Sequence, residues 1–166
     1  MAGVISIGGL GTLRNTMMDE VDRRIIAILG ADARTSYAVI GARVSLSAPA
    51  VKRRVDRLRA SGVIRGFTAV VDPAAMGWTT EAFVELYCTG RTTPGQIAEA
   101  TRRHPEVVGV YTISGSADAL VHLRAADIGH LEQALERLRA ESFVAQTQSM
   151  IVLSRLVERN LAPREE

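Results

Sequence analysis

The chain has 166 residues, 47% of them hydrophobic and 23% charged, with a formal net charge of +2. That length supports one or two small cores, and no apolar run approaches the roughly 18 residues of a membrane span. Cys88 is the single cysteine, which excludes an intrachain disulfide and a thiolate-based zinc site and is compatible with a reducing cytoplasm.

Residues 1–17 are apolar and glycine-rich, with Gly3, Gly8, Gly9 and Gly11 close together. Glycine at that density opposes a stable helix, and no cationic secretory start precedes it. The expectation is a disordered extension, with Met17 or Met18 an alternative start. From Met18 to Leu29 the sequence MDEVDRRIIAIL predicts a first helix. Asp19 is its N-cap, Glu20 and Asp22 sit at the positive dipole end, and Val21, Ile25, Ile28 and Leu29 form its apolar face.

Ser36 caps a short second helix over Tyr37 to Val44, with Ile40 and Val44 inward and Gly41 permitting a close helix crossing. A Ser45-Leu46 turn follows. Ser47 caps a third helix, Ala48 opens it, and Pro49 falls in the first turn, where proline is tolerated. Val51, Val55 and Leu58 recur at i, i+4 and i+7, one apolar stripe. Measured from Val51 at 100° per residue, Lys52, Arg53 and Arg57 fall at about 100°, 200° and 240°, and Arg54 at about 300°, beside the stripe. The wheel therefore points Lys52, Arg53 and Arg57 outward, while Arg54 has Asp19 or Asp22 of the first helix as alternative partners. A helix anchored on one face and arginine-rich on another suits a major-groove reader. The same pattern also describes an ordinary solvated face.

Two features favour the reader. The three helices have helix-turn-helix spacing, and charge is segregated along the chain. Residues 1–66 hold 11 basic and 5 acidic side chains, net +6, and residues 67–166 hold 9 and 13, net −4, which together give the +2 of the whole.

Residues 63–77 read as a β-rich hinge, its β-rich run from Val63 to Asp72 ended by Pro73. Period-two alternation then begins in EAFVELYC, with Ala82, Val84, Leu86 and Cys88 on one face and Glu81, Phe83, Glu85 and Tyr87 on the other. Cys88 reads as a packed small hydrophobe. A helix opens at Thr93-Pro94 with Ile97, Ala98 and Thr101 inward. Strands follow at Val107 to Ser114 and Ala119 to Arg124, joined by a hairpin from Gly115 to Asp118. Asp127 caps a further helix bearing Ile128, Leu131, Leu135 and Leu138, and Val144 to Leu153 forms the last strand. The order βαββαβ is a ferredoxin-like split unit with both helices on one sheet face. Its other face, including Phe83 and Tyr87, is bare and predicts dimerisation. Residues 78–153 thus form the second domain, and 154–166 a charged tail.

The blocks MDEVDRRIIAIL, ADARTSYAVIGARVSLSAPAVKRRVDRLRASGVIRGFTAVVDPAAMG, EVVGVYTISGSAD and VAQTQSMIVL resemble the Lrp/AsnC family of transcription regulators over about Met18 to Leu153. Two departures stand out: Ser45 where a glycine is usual, and Val39 where an acid is common. The resemblance implies an α+β chain with an N-terminal helix-turn-helix (winged-helix-like) domain over 18–62 and a C-terminal ferredoxin-like domain. It implies a homodimer, often assembled to an octamer, that binds double-stranded DNA through Ser47, Ala48, Pro49, Lys52, Arg53, Arg54 and Arg57. It also implies an amino-acid effector held between dimers, which by position singles out Ser114, Gly115 and Asp118, with Thr147, Ser149 and Met150 opposite. A carboxylate can accept from an α-ammonium group, and hydroxyls and amides can donate to an α-carboxylate. Asp118 can equally serve as a turn residue. No cofactor, catalytic group or metal is expected. Two alternatives stay open: a tetrapyrrole (siroheme) decarboxylase-like subunit, and an amino-acid-sensing assembly module without DNA function. The first would draw on His104, His122 and His130, of which His104 and His130 read as surface helix residues.

Overall fold

The computed structural model of the chain describes residues 18–157. The expected extension over 1–17 and the tail beyond Val157 lie outside the described residues. Two compact units form, one up to Ala69 and one over Val70–Val157.

The first unit holds α1 (Glu20–Ala31), α2 (Tyr37–Val44) and α3 (Ala48–Ala60). Each starts at a side-chain cap: Asp19 for α1 in a reciprocal capping box with Asp22, Ser36 for α2, and Ser47 for α3. Ile25, Leu29, Ile40, Val44, Val51 and Val55 pack into one core, with Val21, Ile28, Tyr37, Leu46 and Ile64 around it. The α2–α3 turn is tight because Ser45 takes a left-handed φ of 57° and Leu46 N donates to Gly41 O at 2.9 Å. Gly41 is needed there for a reason other than the expected helix crossing. A Cβ on it would lie 2.3 Å from the carbonyl oxygen of Leu46, so it is the turn backbone that passes close.

The expected β-rich hinge forms no strand. Residues 63–72 are irregular and the following turn is a short 3₁₀ segment, Ala74–Met76. A strand needs a neighbour to satisfy its ladder, and β-branched composition alone supplies none; Val70 and Val71 stay exposed.

The second unit runs β1 (Thr80–Cys88), α4 (Pro94–Thr101), β2 (Val107–Thr112), β3 (Ala119–Ala125), α5 (Ile128–Arg139) and β4 (Val144–Ile151). The strands form one antiparallel sheet in the order β2-β3-β1-β4. Ala82, Val84 and Leu86 of β1 and Ala119, Val121, Leu123 and Ala125 of β3 pack against Ile97 of α4 and Leu131 and Leu138 of α5, so both helices cover one face. The opposite face carries Phe83 stacked on His122 at 4.7 Å between ring centroids. Two inward positions differ from expectation: Ala100 rather than Ala98 is fully buried in α4, and Ala134 joins the buried row of α5 while Ile128 is exposed.

Two histidines also differ from expectation. His104 follows α4 and is buried beside Glu141, with Nε2 3.5 Å from Oε1. His130 is half-buried, with Nε2 2.7 Å from Oε1 of the buried Glu106, which also accepts from Arg137 at 2.6 Å. Helix periodicity places a residue on a face but does not reveal which loop or strand end lies over it.

Candidate nucleic-acid interface and effector site

The N-terminal half of α3 presents two exposed cations, Lys52 and Arg53. Ser47 Oγ accepts from Ala50 N at 3.4 Å, fixing the helix start, and Pro49 in the first turn costs no internal hydrogen bond. Ala48 is half-buried, whereas Ser47 and Pro49 are exposed. Lys52 and Arg53 are exposed on the solvent side, opposite the buried Val51, Val55 and Leu58. Lys52 Nζ lies 2.6 Å from Asp56 Oδ2 one turn on, and this hydrogen bond raises the ammonium pKa. Arg53 has no hydrogen bond or ion pair among the described residues, and it lines a shallow cleft with Leu46, Ala50, Arg54 and Arg57.

Arg54 and Arg57 are engaged elsewhere. Arg54 Nη1 donates to Asp19 Oδ2 at 2.6 Å and to Asp22 Oδ1 at 2.9 Å, which is the alternative that its position beside the stripe allowed. Arg57 corrects the helical-wheel reading, which pointed it outward: its Nη2 donates to Asp22 Oδ2. At 240° the Cβ does lean away from the core, but the long side chain reaches back to a buried carboxylate. The hydrogen bond from Arg54, then that from the Asp22 amide, holds the Asp19 carboxyl below its ordinary pKa.

In the second unit the hairpin residues sit at one end of the sheet. Gly115 takes a φ of 141°, a backbone region that side chains disfavour. Asp118 is exposed; its N donates to Leu86 O at 2.9 Å and its Oδ2 accepts from Cys88 N at 2.7 Å, where the β1–β4 register shifts. Asp118 therefore clasps the end of β1, a turn-like role, and its second oxygen has no partner among the described residues. Burial first, then Asp118, pushes the Cys88 thiol pKa up, as befits a packed side chain and not a nucleophile.

Within one chain the six proposed effector residues do not meet. Leu86 of β1 pairs with Ala119 on one side and Thr147 on the other, so β1 separates the hairpin from β4 by two strand spacings, roughly 10 Å. Thr147 and Ser149 share the helix-side face, and Arg139 Nε donates to Thr147 Oγ1 at 2.9 Å. Met150, paired with Phe83, lies on the opposite face. Strict strand alternation carried that division, since residues 149 and 150 cannot share a face. The polar clusters around Glu106 and Glu81 carry no sequence signature, because the partners lie 24 or more residues from the carboxylate they surround.

Comparison with known proteins places both units. Residues 18–59 match the AsnC-type helix-turn-helix domain and residues 81–162 the Lrp/AsnC ligand binding domain. The chain is 52% identical to the HTH-type transcriptional regulator Rv2324 of Mycobacterium tuberculosis over 142 residues, covering 86% of this chain and 96% of that one. It is 33% identical to the HTH-type transcriptional regulator AldR of Mycolicibacterium smegmatis, covering 94% and 93%. Among solved structures, M. tuberculosis LrpA, a leucine response regulatory protein, aligns with a TM-score of 0.78 at 31% identity, covering 88% and 100%. The M. tuberculosis feast or famine regulatory protein Rv3291c complexed with L-methionine aligns with a TM-score of 0.80 at 31% identity, covering 87% and 99%. With both domains matched and a relative at 52% identity over most of the chain, this protein belongs to the Lrp/AsnC family of transcriptional regulators.

Proposed function

We propose that the protein is a sequence-specific DNA-binding regulator in the cytoplasm whose DNA binding or assembly responds to an amino acid. The observation that carries this reading is α3 itself. Its apolar stripe is fully buried, its start is capped and exposed, and Arg53 is presented to solvent without an intramolecular partner among the described residues. Ser47, Ala48 and Pro49 bring the helix N-terminus to the phosphate backbone, where backbone amides and dipole favour anions, Lys52 and Arg53 supply exposed cations, and Arg54 and Arg57 complete the reading helix from the flank tied to α1. Dimerisation through the bare sheet face around Phe83 sets two such helices about one DNA turn (~34 Å) apart, and further assembly to an octamer brings hairpins and β4 strands of different subunits together. Between them Ser114, Gly115 and Asp118 of one subunit would face Thr147, Ser149 and Met150 of another, with the second Asp118 oxygen accepting from the α-ammonium group. The L-methionine complex of Rv3291c supports an amino acid as effector. A binding role is also supported by the engagement of the groups an enzyme would want: His122 pairs with Glu81, His130 with Glu106, and the Cys88 thiol is raised.

Binding of the full chain to duplex from its own upstream region, measured over a salt series with and without a panel of amino acids, tests the reading. A steep salt dependence and a shift with at least one amino acid are expected, and Asp118→Ala should remove the shift while leaving DNA affinity. Affinity no better than for scrambled duplex would overturn it.

A further inference from the structure

A carboxylate buried behind a DNA-reading helix needs compensation, because desolvating a charge is costly unless it is paired and hydrogen-bonded. The Asp22 side chain is 1% exposed, and its oxygens are filled by three donors. Asp19 N reaches Oδ2 at 3.2 Å, Arg54 reaches Oδ1 at 2.9 Å, and Arg57 reaches Oδ2. Arg54 also bridges to Asp19, 2.6 Å away. Two guanidinium groups and two carboxylates cancel, so this flank of α3 has no net charge to release counterions from phosphates. The donors at positions 54 and 57 lie one turn apart on α3, and both converge on the N-terminus of α1. Two such ties on one flank resist rotation of α3 about its own axis, which the apolar stripe alone, being non-directional, resists less well. Arg53, on the neighbouring row and without a tie among the described residues, is then aimed by the clasp.

We propose that Asp22 is a positioning residue of the DNA reader: it holds Arg54 and Arg57 against α1 and so leaves Arg53, of these three arginines, to contact DNA. This inference rests on the DNA-binding reading and divides labour within it. Arg54 and Arg57 then act on DNA through the orientation of the helix and not as phosphate ligands.

The test uses the full chain, its own upstream duplex and a scrambled duplex, over a salt series, with thermal unfolding as a check on folding. Removing one cation that neutralises a phosphate should flatten the slope of log K against log salt by about 0.9. Arg53→Gln should show that flattening for each protomer bound. Arg57→Gln and Arg54→Gln should weaken binding to the upstream duplex with the slope unchanged. Asp22→Asn keeps the side-chain shape and frees both guanidinium groups. It should steepen the slope and cut the ratio of specific to scrambled affinity by about tenfold, the scale of a mismatched base. Rotation held by packing alone would lower the melting temperature of Asp22→Asn yet leave slope and ratio as in the wild type, and that result overturns the proposal. So does a slope flattened by Arg57→Gln as much as by Arg53→Gln; the half-exposed Arg57 position keeps this arm readable if Asp22→Asn does not fold. A wild-type protein that prefers no duplex overturns both this inference and the DNA-binding reading, whereas the other two failures leave the latter standing.

Discussion

Gly41→Ala sets two known effects against each other, and the geometry decides which wins. In an open helix interior the change stabilises by about 1 kcal/mol, because alanine loses less backbone entropy than glycine. At Gly41 the added methyl would sit 2.3 Å from Leu46 O and 3.3 Å from Leu46 C, well inside the roughly 3.5 Å at which non-bonded heavy atoms are comfortable. The obstructing atoms are backbone, held by the hydrogen bond from Leu46 N to Gly41 O and by the left-handed Ser45, so no side-chain rotation relieves the clash. Relief requires the turn to move by about 1 Å, and overpacking of that kind costs about 1–3 kcal/mol. The net expectation is destabilisation by about 1 kcal/mol, a fall in melting temperature of about 4–8 °C for a small domain. Because the same turn carries Ser47 and the start of α3, DNA affinity should drop further than stability does. Thermal unfolding of the first unit's helical signal, alongside DNA titration, reads both. A melting temperature that rises, with DNA affinity unchanged, would refute the reasoning, since it would mean the turn yields at no cost.

Ser47→Ala should cost about 1 kcal/mol by removing the α3 cap. Ser47→Asp should retain stability, since aspartate caps as well as serine, but weaken DNA binding by placing an anion at the interface; equal DNA affinity for the two variants would count against contact at the helix start. Leu123→Ala empties a fully buried position between sheet and helices and should cost about 2–5 kcal/mol in denaturant unfolding of the second unit, with a loss under 1 kcal/mol contradicting the core assignment. Burial would by itself raise the Glu81 pKa, but the hydrogen bonds from Arg155 and His122 outweigh it and hold the carboxyl below its ordinary value. The folded pKa is depressed, so the stabilisation is fully present above the unfolded carboxylate value and is lost as pH falls through the lower folded value. Glu81→Gln should therefore flatten the acid limb of the stability profile, and an identical acid limb would sink that assignment.

The two-unit plan was open to reading in one dimension because each element announces itself locally. Asp19, Ser36, Ser47, Thr93 and Asp127 cap helices through bonds to amides three residues on, and periods of two or near 3.6 sort faces without knowledge of what they face. Val51, Val55 and Leu58 were legible as buried for that reason, as were Ala82, Val84 and Leu86. Tertiary structure decided what lies further than one turn away. Arg57 left the outward face for Asp22, 35 residues earlier; Gly41 was needed for a turn carbonyl and not a helix; His130 found Glu106, and residues 63–72 remained without a strand partner. Long side chains and backbone ladders take their partners from wherever the fold brings them, and short-range periodicity holds no record of that distance. For the reader helix, sequence determined the stripe that is buried and the arginines available. Only the folded arrangement determined that Arg54 and Arg57 are tied to α1 while Arg53 and Arg59 are left to solvent.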